Sequence, residues 1–92
     1  MQLTLKDKIY LLSCGYNRTD LKQIARASKK CTITILKNDF ETRIRQGDFI
    51  KIFGREGYLN RLARAAFHTT SFFYDESEKI GYLFECKNFI TL

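Results

Sequence analysis

Residues 31–45 read CTITILKNDFETRIR, and this stretch decides the fold class. From Cys31 to Lys37 the chain alternates with a period of two and is rich in β-branched residues, which predicts a strand. Asn38 and Asp39 predict a hairpin turn, although the stronger Asn-Gly signal is absent. The remaining residues form the return strand, whose outer face carries Glu41, Arg43 and Arg45. The sequence therefore predicts an antiparallel hairpin with a basic outer face at its far end.

Two predicted helices precede this hairpin. Thr4 caps the first helix, with Asp7 completing a partial capping box, and Gly15 ends it. Asn17 or Thr19 begins the second helix. Apolar and small residues at helical spacing predict the buried sides. These are Leu5, Ile9 and Leu12, with Leu11 as a further candidate, in the first helix and Leu21, Ile24, Ala25 and Ser28 in the second.

The chain after the first hairpin repeats the order helix, helix, strand, strand. Gly47 and Asp48 break the strand and cap a short helix over 49–53, which Gly54 ends. A fourth helix follows over 56–67. Its expected buried side consists of Tyr58, Leu59, Leu62, Ala63 and Ala66.

A second hairpin closes the predicted order. Its strands run over 69–74 and 80–86 around a polar, acidic turn, and 88–92 form a short apolar tail that we expect to pack down. With 92 residues and 45% hydrophobic content, the chain is large enough for one modest core. We therefore expect an α+β fold in a single domain over 1–92, with about four short helices and two antiparallel hairpins in the order ααββααββ.

The positive charge of the chain is concentrated in two segments. The formal net charge is +6, and residues 17–30 and 43–64 each carry a net charge of +4. Clustered cations indicate an anionic partner, with nucleic acid, DNA or RNA, as the first expectation and an acidic protein surface as the second. The total charge by itself does not distinguish these two partners.

The second predicted helix carries a row of cations. Lys22, Arg26 and Lys29 recur at i, i+4 and i+7 on a different side from its apolar residues, with Arg18 upstream and Lys30 downstream. A row of cations on a rigid helix matches the phosphates along a nucleic-acid strand. The alternative is a solvated helix side, which commonly carries Lys and Arg.

A second cluster lies on the fourth predicted helix. Arg61, Arg64 and His68 share one side at i, i+3 and i+7, and Arg55 lies near the start of the helix. In a metal-independent ribonuclease, Arg stabilises the charge on the phosphorus centre while His or Tyr moves the proton. Because the chain has a single His, a capping or packing role for His68 is the favoured interpretation.

Consecutive aromatic residues occur in the third predicted strand. Phe72, Phe73 and Tyr74 must alternate between the two faces of that strand, so at least one large ring leaves the main core. A ring exposed on a sheet stacks on unpaired bases or contacts a protein partner. Most of the other aromatic residues are expected to be core residues.

The cysteines and the remaining motifs argue against several classes of site and fold. Cys14, Cys31 and Cys86 are odd in number and widely spaced, which is typical of reduced, buried cysteines in a cytoplasmic protein. We expect no metal, no cofactor and no membrane association. The order of the second helix and the first hairpin also fits a helix-turn-helix protein with a wing, but the third helix expected before a wing is absent.

Three segments, Lys8 to Tyr16, Gly54 to Leu59 and Arg64 to Thr69, resemble parts of small uncharacterised proteins carried by bacterial phages and mobile elements. This resemblance implies a role in host interaction or element maintenance. It implies neither a fold nor any functional residue.

Three functional hypotheses follow. The first is a small non-enzymatic protein that contacts nucleic acid or a nucleoprotein through its cations. The second is a protein-directed inhibitor of a host system, such as an anti-CRISPR protein, which would dock on an acidic host protein. The third is a metal-independent ribonuclease or toxin. An exposed strand edge or aromatic face would also support a homodimer. The candidate partner-binding residues are Arg18, Lys22, Arg26, Lys29, Lys30, Arg43, Arg45, Arg61 and Arg64.

Overall fold

The two hairpins join through their inner strands into one antiparallel sheet. The computed structural model describes residues 3–86, and within this range the strands are β1 (Thr32–Lys37), β2 (Phe40–Ile44), β3 (Thr70–Asp75) and β4 (Ile80–Glu85). Their order across the sheet is β2-β1-β4-β3. The central pair β1 and β4 aligns Ile33 with Phe84, so these two apolar side chains lie on the same face.

Within the described residues, three helices accompany the sheet, so the α+β class is confirmed and the element order there is ααββαββ. They are α1 (Leu5–Ser13), α2 (Arg18–Lys30) and α3 (Gln46–His68). Gly54 interrupts α3 with φ 81° and ψ 165°, a backbone conformation that is essentially confined to glycine. The chain bends at this residue and resumes the helix at once, so the two helices expected over 49–53 and 56–67 form one interrupted element.

The start of α3 differs from the sequence expectation. The helix begins at Gln46 with Arg45 as its N-cap, and Arg45 provides no side-chain hydrogen bond. Gly47 and Asp48 are therefore within the first turn instead of before it. Asp48 remains favourable there because a negative side chain near a helix N-terminus interacts well with the helix dipole.

The helices bury one face of the sheet around an aromatic core. Phe49 of α3 lies 5.6 Å from the Tyr82 ring and 4.8 Å from the Phe84 ring, both in edge-to-face contacts. All five residues expected on the buried side of the fourth helix are buried, and Ala65 joins them. α1 and α2 contact α3 and contribute Leu11 and Ile24 to the same core.

The opposite face of the sheet bears no helix within residues 3–86, as the exposure of its side chains shows. Strand register places Thr34, Leu83 and Phe72 in one row across that face and Leu36, Gly81 and Tyr74 in the next. Phe72 is 58% exposed and Tyr74 is 49% exposed, whereas Phe73 points into the core. The expectation that a large ring of this segment leaves the core is confirmed.

Most of the predicted caps and turns are confirmed. Thr4 and Asp7 form a reciprocal capping box at α1, and Asn17 and Asp20 form one at α2. Asn38 and Asp39 both adopt positive φ values in the turn between β1 and β2, as a two-residue type I′ turn requires.

The apolar stripe of α1 is the largest departure from expectation. Leu5, Ile9 and Leu12 are 74%, 58% and 46% exposed, so the side predicted to be buried faces outward. The opposite side is anchored because buried Asp7 accepts two hydrogen bonds from Arg55, and the Tyr10 hydroxyl accepts one from Asn60. Those specific polar contacts fix the rotation of α1, and Leu11 is the one predicted apolar residue of this helix that is buried.

Two corrections concern other predicted core residues. Cys31 and Cys86 are buried free thiols, but Cys14 is exposed because it follows the last residue of α1 at the surface. In α2, Ala27 is buried, whereas Ala25 is only half-buried. The tail expected over 88–92 lies outside the described residues. No helix within residues 3–86 is long and apolar enough to cross a membrane.

Candidate nucleic-acid interface

Helix α2 is held in one rotation by its inner side. Leu21 and Ile24 enter the core, and the Gln23 side chain donates a hydrogen bond to the carbonyl oxygen of Ala66 at 2.9 Å. At the other end of the helix, the Gln46 side chain donates to the carbonyl oxygen of Ser28 at 2.6 Å. These contacts connect α2 to both ends of α3, so the outer side of α2 presents a fixed set of side chains.

That outer side is cationic along its whole length. We call the exposed residues Arg18, Lys22, Arg26, Lys29 and Lys30 the basic row of α2. Lys22, Arg26 and Lys29 are separated by about 6 Å and about 4.5 Å along the helix axis, given a rise of 1.5 Å per residue. None of the five forms an ion pair within residues 3–86. The structure therefore brings together the row that the sequence predicts and leaves its charges available.

The one acid of α2 does not neutralise the row. Asp20 lies in the first turn, and its carboxylate accepts a hydrogen bond from the backbone N–H of Asn17 at 2.9 Å. Lys29 and Lys30 lie in the last turn, where the helix dipole favours positive charge. The five cations of the row thus face a single acid in α2, and that acid lies at the opposite end of the helix from Lys29 and Lys30.

The connection between α1 and α2 is a tight turn over residues 14–17. Gly15 adopts φ 103° at the end of α1, and the backbone N–H of Tyr16 donates to the carbonyl oxygen of Leu11. The Tyr16 ring stacks on Phe67 of α3, with ring centroids 5.9 Å apart. The order of helix, short turn with glycine and second helix is shared with helix-turn-helix proteins, but no third helix separates α2 from β1.

The predicted cations of the first hairpin lie elsewhere. Arg43 is opposite Thr34 on the open face of the sheet, in the same row as Phe72. Arg45 lies outside β2 and caps α3, contrary to its expected place on the return strand. These two cations are therefore not part of the basic row of α2.

The second predicted cluster is not assembled as a set of free cations. The Arg61 guanidinium lies over the Phe73 ring, with Cζ 4.4 Å from the ring centroid. Burial, followed by the charge of Arg64, lowers the pKa of Arg61. Arg64 and His68 are exposed. Arg61 thus has a structural contact that competes with phosphate binding, whereas Arg64 is free to contact a partner.

Arg55 is also committed to a structural contact. Its Nε and Nη2 atoms donate to the two carboxylate oxygens of Asp7 at 2.9 Å and 2.6 Å. This bidentate pair removes Arg55 from the cluster that sequence reasoning allowed it to join. Nothing in the local sequence around either residue signals the pairing, because 48 positions separate them.

Sequence reasoning did not identify the extent of the open sheet face. Phe72, Tyr74, Leu36 and Leu83 form an apolar surface there, with Arg43 and Glu41 beside it. The alternation of β3 predicts that at least one large ring lies on this face. The strand order that places β3 in the same sheet as β1 is known only from the structure. Within residues 3–86, no group of three or more His, Cys, Asp or Glu side chains could hold a metal ion.

Comparisons with known proteins give no family for this chain. No protein-family model matches it, no curated protein matches its sequence, and no solved structure matches its fold.

Proposed function

We propose that this protein is a small, basic, non-enzymatic binding protein of the kind that phages and mobile elements carry, and that it acts in the cytoplasm on nucleic acid. The basic row of α2 contacts the phosphate backbone. The observation that carries this proposal is the alignment of five exposed cations without ion pairs on one side of a helix whose other side is locked into the core.

The chemistry of such a contact is electrostatic. Each cation that approaches a phosphate releases a condensed counterion, so the affinity falls as the salt concentration rises. For three to five phosphate contacts, the slope of log K against log salt concentration is about −3 to −4.5 with duplex DNA. Phosphate contacts carry no base information, so we expect little sequence preference from Lys22, Arg26 and Lys29 alone.

Duplex DNA is the first ligand that we consider for α2. The turn after α1 presents α2 as the second helix of a helical hairpin, and a single helix fits the width of the major groove. The exposed rings of Phe72 and Tyr74 favour a second mode, in which unpaired bases stack on the open sheet face beside Arg43. A ligand panel of duplex DNA, single-stranded DNA and RNA distinguishes the two modes.

The test is fluorescence anisotropy with labelled duplex DNA, single-stranded DNA and RNA across a range of salt concentrations. We expect the double variant Arg26→Glu, Lys29→Glu to reduce duplex affinity by at least tenfold at low salt and to flatten the salt slope. Both residues are exposed, so the protein should stay folded, with a modest fall in the thermal midpoint because Lys29 loses its favourable interaction with the helix dipole. Unchanged affinity in this variant would refute the role of the basic row.

A matched control separates local contact from net charge. The double variant Lys37→Glu, Lys51→Glu alters two exposed cations outside α2 and lowers the net charge by the same amount. It should retain most of the duplex affinity, whereas an equal loss in both variants would indicate non-specific attraction. A loss of RNA binding in Phe72→Ala, Tyr74→Ala with retained duplex binding would assign the open sheet face to unpaired bases.

The alternative function is a protein-directed inhibitor of a host system, for example an anti-CRISPR protein. In that case, the same cations dock on an acidic host protein or on a nucleoprotein. A stoichiometric complex with a host protein that survives nuclease treatment would favour this alternative. The ribonuclease hypothesis is disfavoured by the contact of Arg61 with Phe73, and cleavage of RNA by the purified protein would restore it.

A further inference from the structure

The exposed stripe of α1 lines one side of a groove. Leu5, Ile9 and Leu12 recur at i, i+4 and i+7, and they face α2 across a groove of about 470 Å³. Leu21 and Ala25 of α2 complete its apolar lining. Three large apolar side chains side by side at the surface are unusual in a protein that functions without a partner at that site.

The stripe cannot turn inward to relieve this exposure. The bidentate Asp7–Arg55 pair and the Asn60–Tyr10 hydrogen bond both hold the opposite side of α1 against α3. A rotation that buried Ile9 would place the Asp7 carboxylate in solvent and leave Arg55 without its partner. The apolar side of α1 is therefore a fixed feature of the folded chain.

The charges around the groove all have one sign. Lys8 of α1 and Arg18 and Lys22 of α2 line it, and no acidic residue of the described part of the chain does. None of these cations forms an ion pair within residues 3–86. An occupant must therefore combine apolar side chains at its centre with negative charge at its edges.

We propose that this groove binds an acidic amphipathic α-helix of a partner protein. A helix lays its apolar ridge into a groove through side chains at i, i+3, i+4 and i+7, which matches the spacing that α1 presents. A second copy of this chain would bring Lys8, Arg18 and Lys22 against the same cations, and that repulsion disfavours self-association through this groove. The apolar lining of this groove is not part of the basic row of α2, so the two binding surfaces are distinct. Arg18 and Lys22 border both of them.

The probe is a fluorescein-labelled helical peptide of about 16 residues, long enough for a helix to be populated, with Leu at i, i+3, i+4 and i+7 and Glu elsewhere on its polar side. A matched peptide carries Lys in place of every Glu. Titration by anisotropy should show the Glu peptide binding at least tenfold more tightly than the Lys peptide at low salt. The Lys8→Glu variant should reduce the difference in affinity between the Glu peptide and the Lys peptide. Because Lys8 is exposed, this variant should not disturb the fold.

Apolar variants test the lining of the groove. The double variant Leu5→Ser, Ile9→Ser should weaken binding of the Glu peptide by about tenfold or more, because it removes apolar area from the contact. The matched control is Phe40→Ser, Ile52→Ser, whose side chains are 73% and 57% exposed at other places on the surface. The control should bind the Glu peptide as the wild type does.

The outcomes are distinguishable from those of the nucleic-acid test. Leu5→Ser, Ile9→Ser should retain duplex DNA affinity, because it changes no cation. Equal affinity for the Glu and Lys peptides, or no binding at millimolar concentration, would overturn the proposal. So would a wild-type dimer in sedimentation that Leu5→Ser, Ile9→Ser abolishes and that the Glu peptide fails to compete away, since the occupant would then be a second copy.

Discussion

The pair formed by Asp7 and Arg55 links two residues 48 positions apart in the sequence. The Asp7 carboxylate is buried and accepts hydrogen bonds from Nε and Nη2 of Arg55 and from the backbone N–H of Thr4, the last at 2.8 Å. The hydrogen bond from Arg55 is the main cause that lowers the pKa of Asp7, against the opposing effect of burial. The pair thus connects the start of α1 to α3 and selects which side of α1 faces the core.

This pairing predicts a pH-dependent contribution to stability. Because the folded pKa of Asp7 lies below its unfolded value, the stabilisation is complete above the unfolded pKa of about 3.9 and is lost as the pH falls through the folded pKa. Asp7→Asn should therefore lower the free energy of unfolding by about 1 to 3 kcal/mol at pH 7. Its deficit relative to the wild type should shrink as the pH falls below about 4.

Urea unfolding at a series of pH values measures this difference. Glu76→Gln is the control, since Glu76 is an exposed residue of the turn between β3 and β4, and its effect should stay within about 0.5 kcal/mol. A deficit for Asp7→Asn that is constant from pH 7 to pH 2 would show that the carboxylate charge does not contribute.

At the scale of the element, the interruption of α3 shows what a single glycine does. The segment from Gln46 to Phe53 places Phe49 in the aromatic core, and the longer segment after Gly54 buries Tyr58. The Tyr58 hydroxyl donates to Gln46 at 2.7 Å, which joins the two segments across the bend. The bend therefore allows one element to present two differently aimed buried sides.

A pair of glycine variants tests this role. Gly54→Ala should destabilise the protein by about 1 to 3 kcal/mol, because alanine does not adopt φ 81° with ψ 165° without strain. Gly47→Ala in the first turn of α3 should be neutral or stabilise by up to about 1 kcal/mol, since nothing lies within 4 Å of the added Cβ and its φ is not in the left-handed region. Thermal or urea unfolding measures both, and equal effects would contradict the role assigned to Gly54.

Local signals predicted most elements but not their rotation. The capping residues Thr4 and Asn17 and the turn at Asn38 were identified because their chemistry acts within three or four positions. The predicted burial of Leu5, Ile9 and Leu12 in α1 is wrong. Their apolar spacing predicts one rotation of the helix, but the contact between the Asp7 carboxylate and the distant Arg55 guanidinium selects the opposite rotation. The basic row of α2 was predicted correctly in its placement because its cations and its buried stripe lie on one helix.

For the molecule as a whole, the three cysteines differ in their exposure to solvent. Cys31 and Cys86 are buried next to one another, and the hydrogen bond with Cys86, followed by burial, raises the pKa of the Cys31 thiol. Cys14 is exposed after the end of α1. One thiol is therefore accessible at the surface, and the other two are enclosed in the core.

These positions predict the reaction with a thiol reagent such as Ellman's reagent. We expect one thiol, Cys14, to react rapidly in the native protein and all three to react after unfolding in denaturant. Cys14→Ser should abolish the rapid phase and leave the slow one intact. A second rapid thiol in the native wild type would show that Cys31 or Cys86 is more accessible than the structure indicates.

The order of the strands also determines the stage of synthesis at which the complete sheet is able to form. The central pair joins β1 to β4, with Thr32 opposite Glu85 and Leu36 opposite Gly81, so β2, α3 and β3 lie within the loop that this pairing closes. Contacts so distant in sequence are slow to form because the entropy of loop closure must be overcome first. During synthesis, a ribosome-bound chain that has not yet released β4 holds the first hairpin without its neighbour, and the sheet assembles only when β4 emerges.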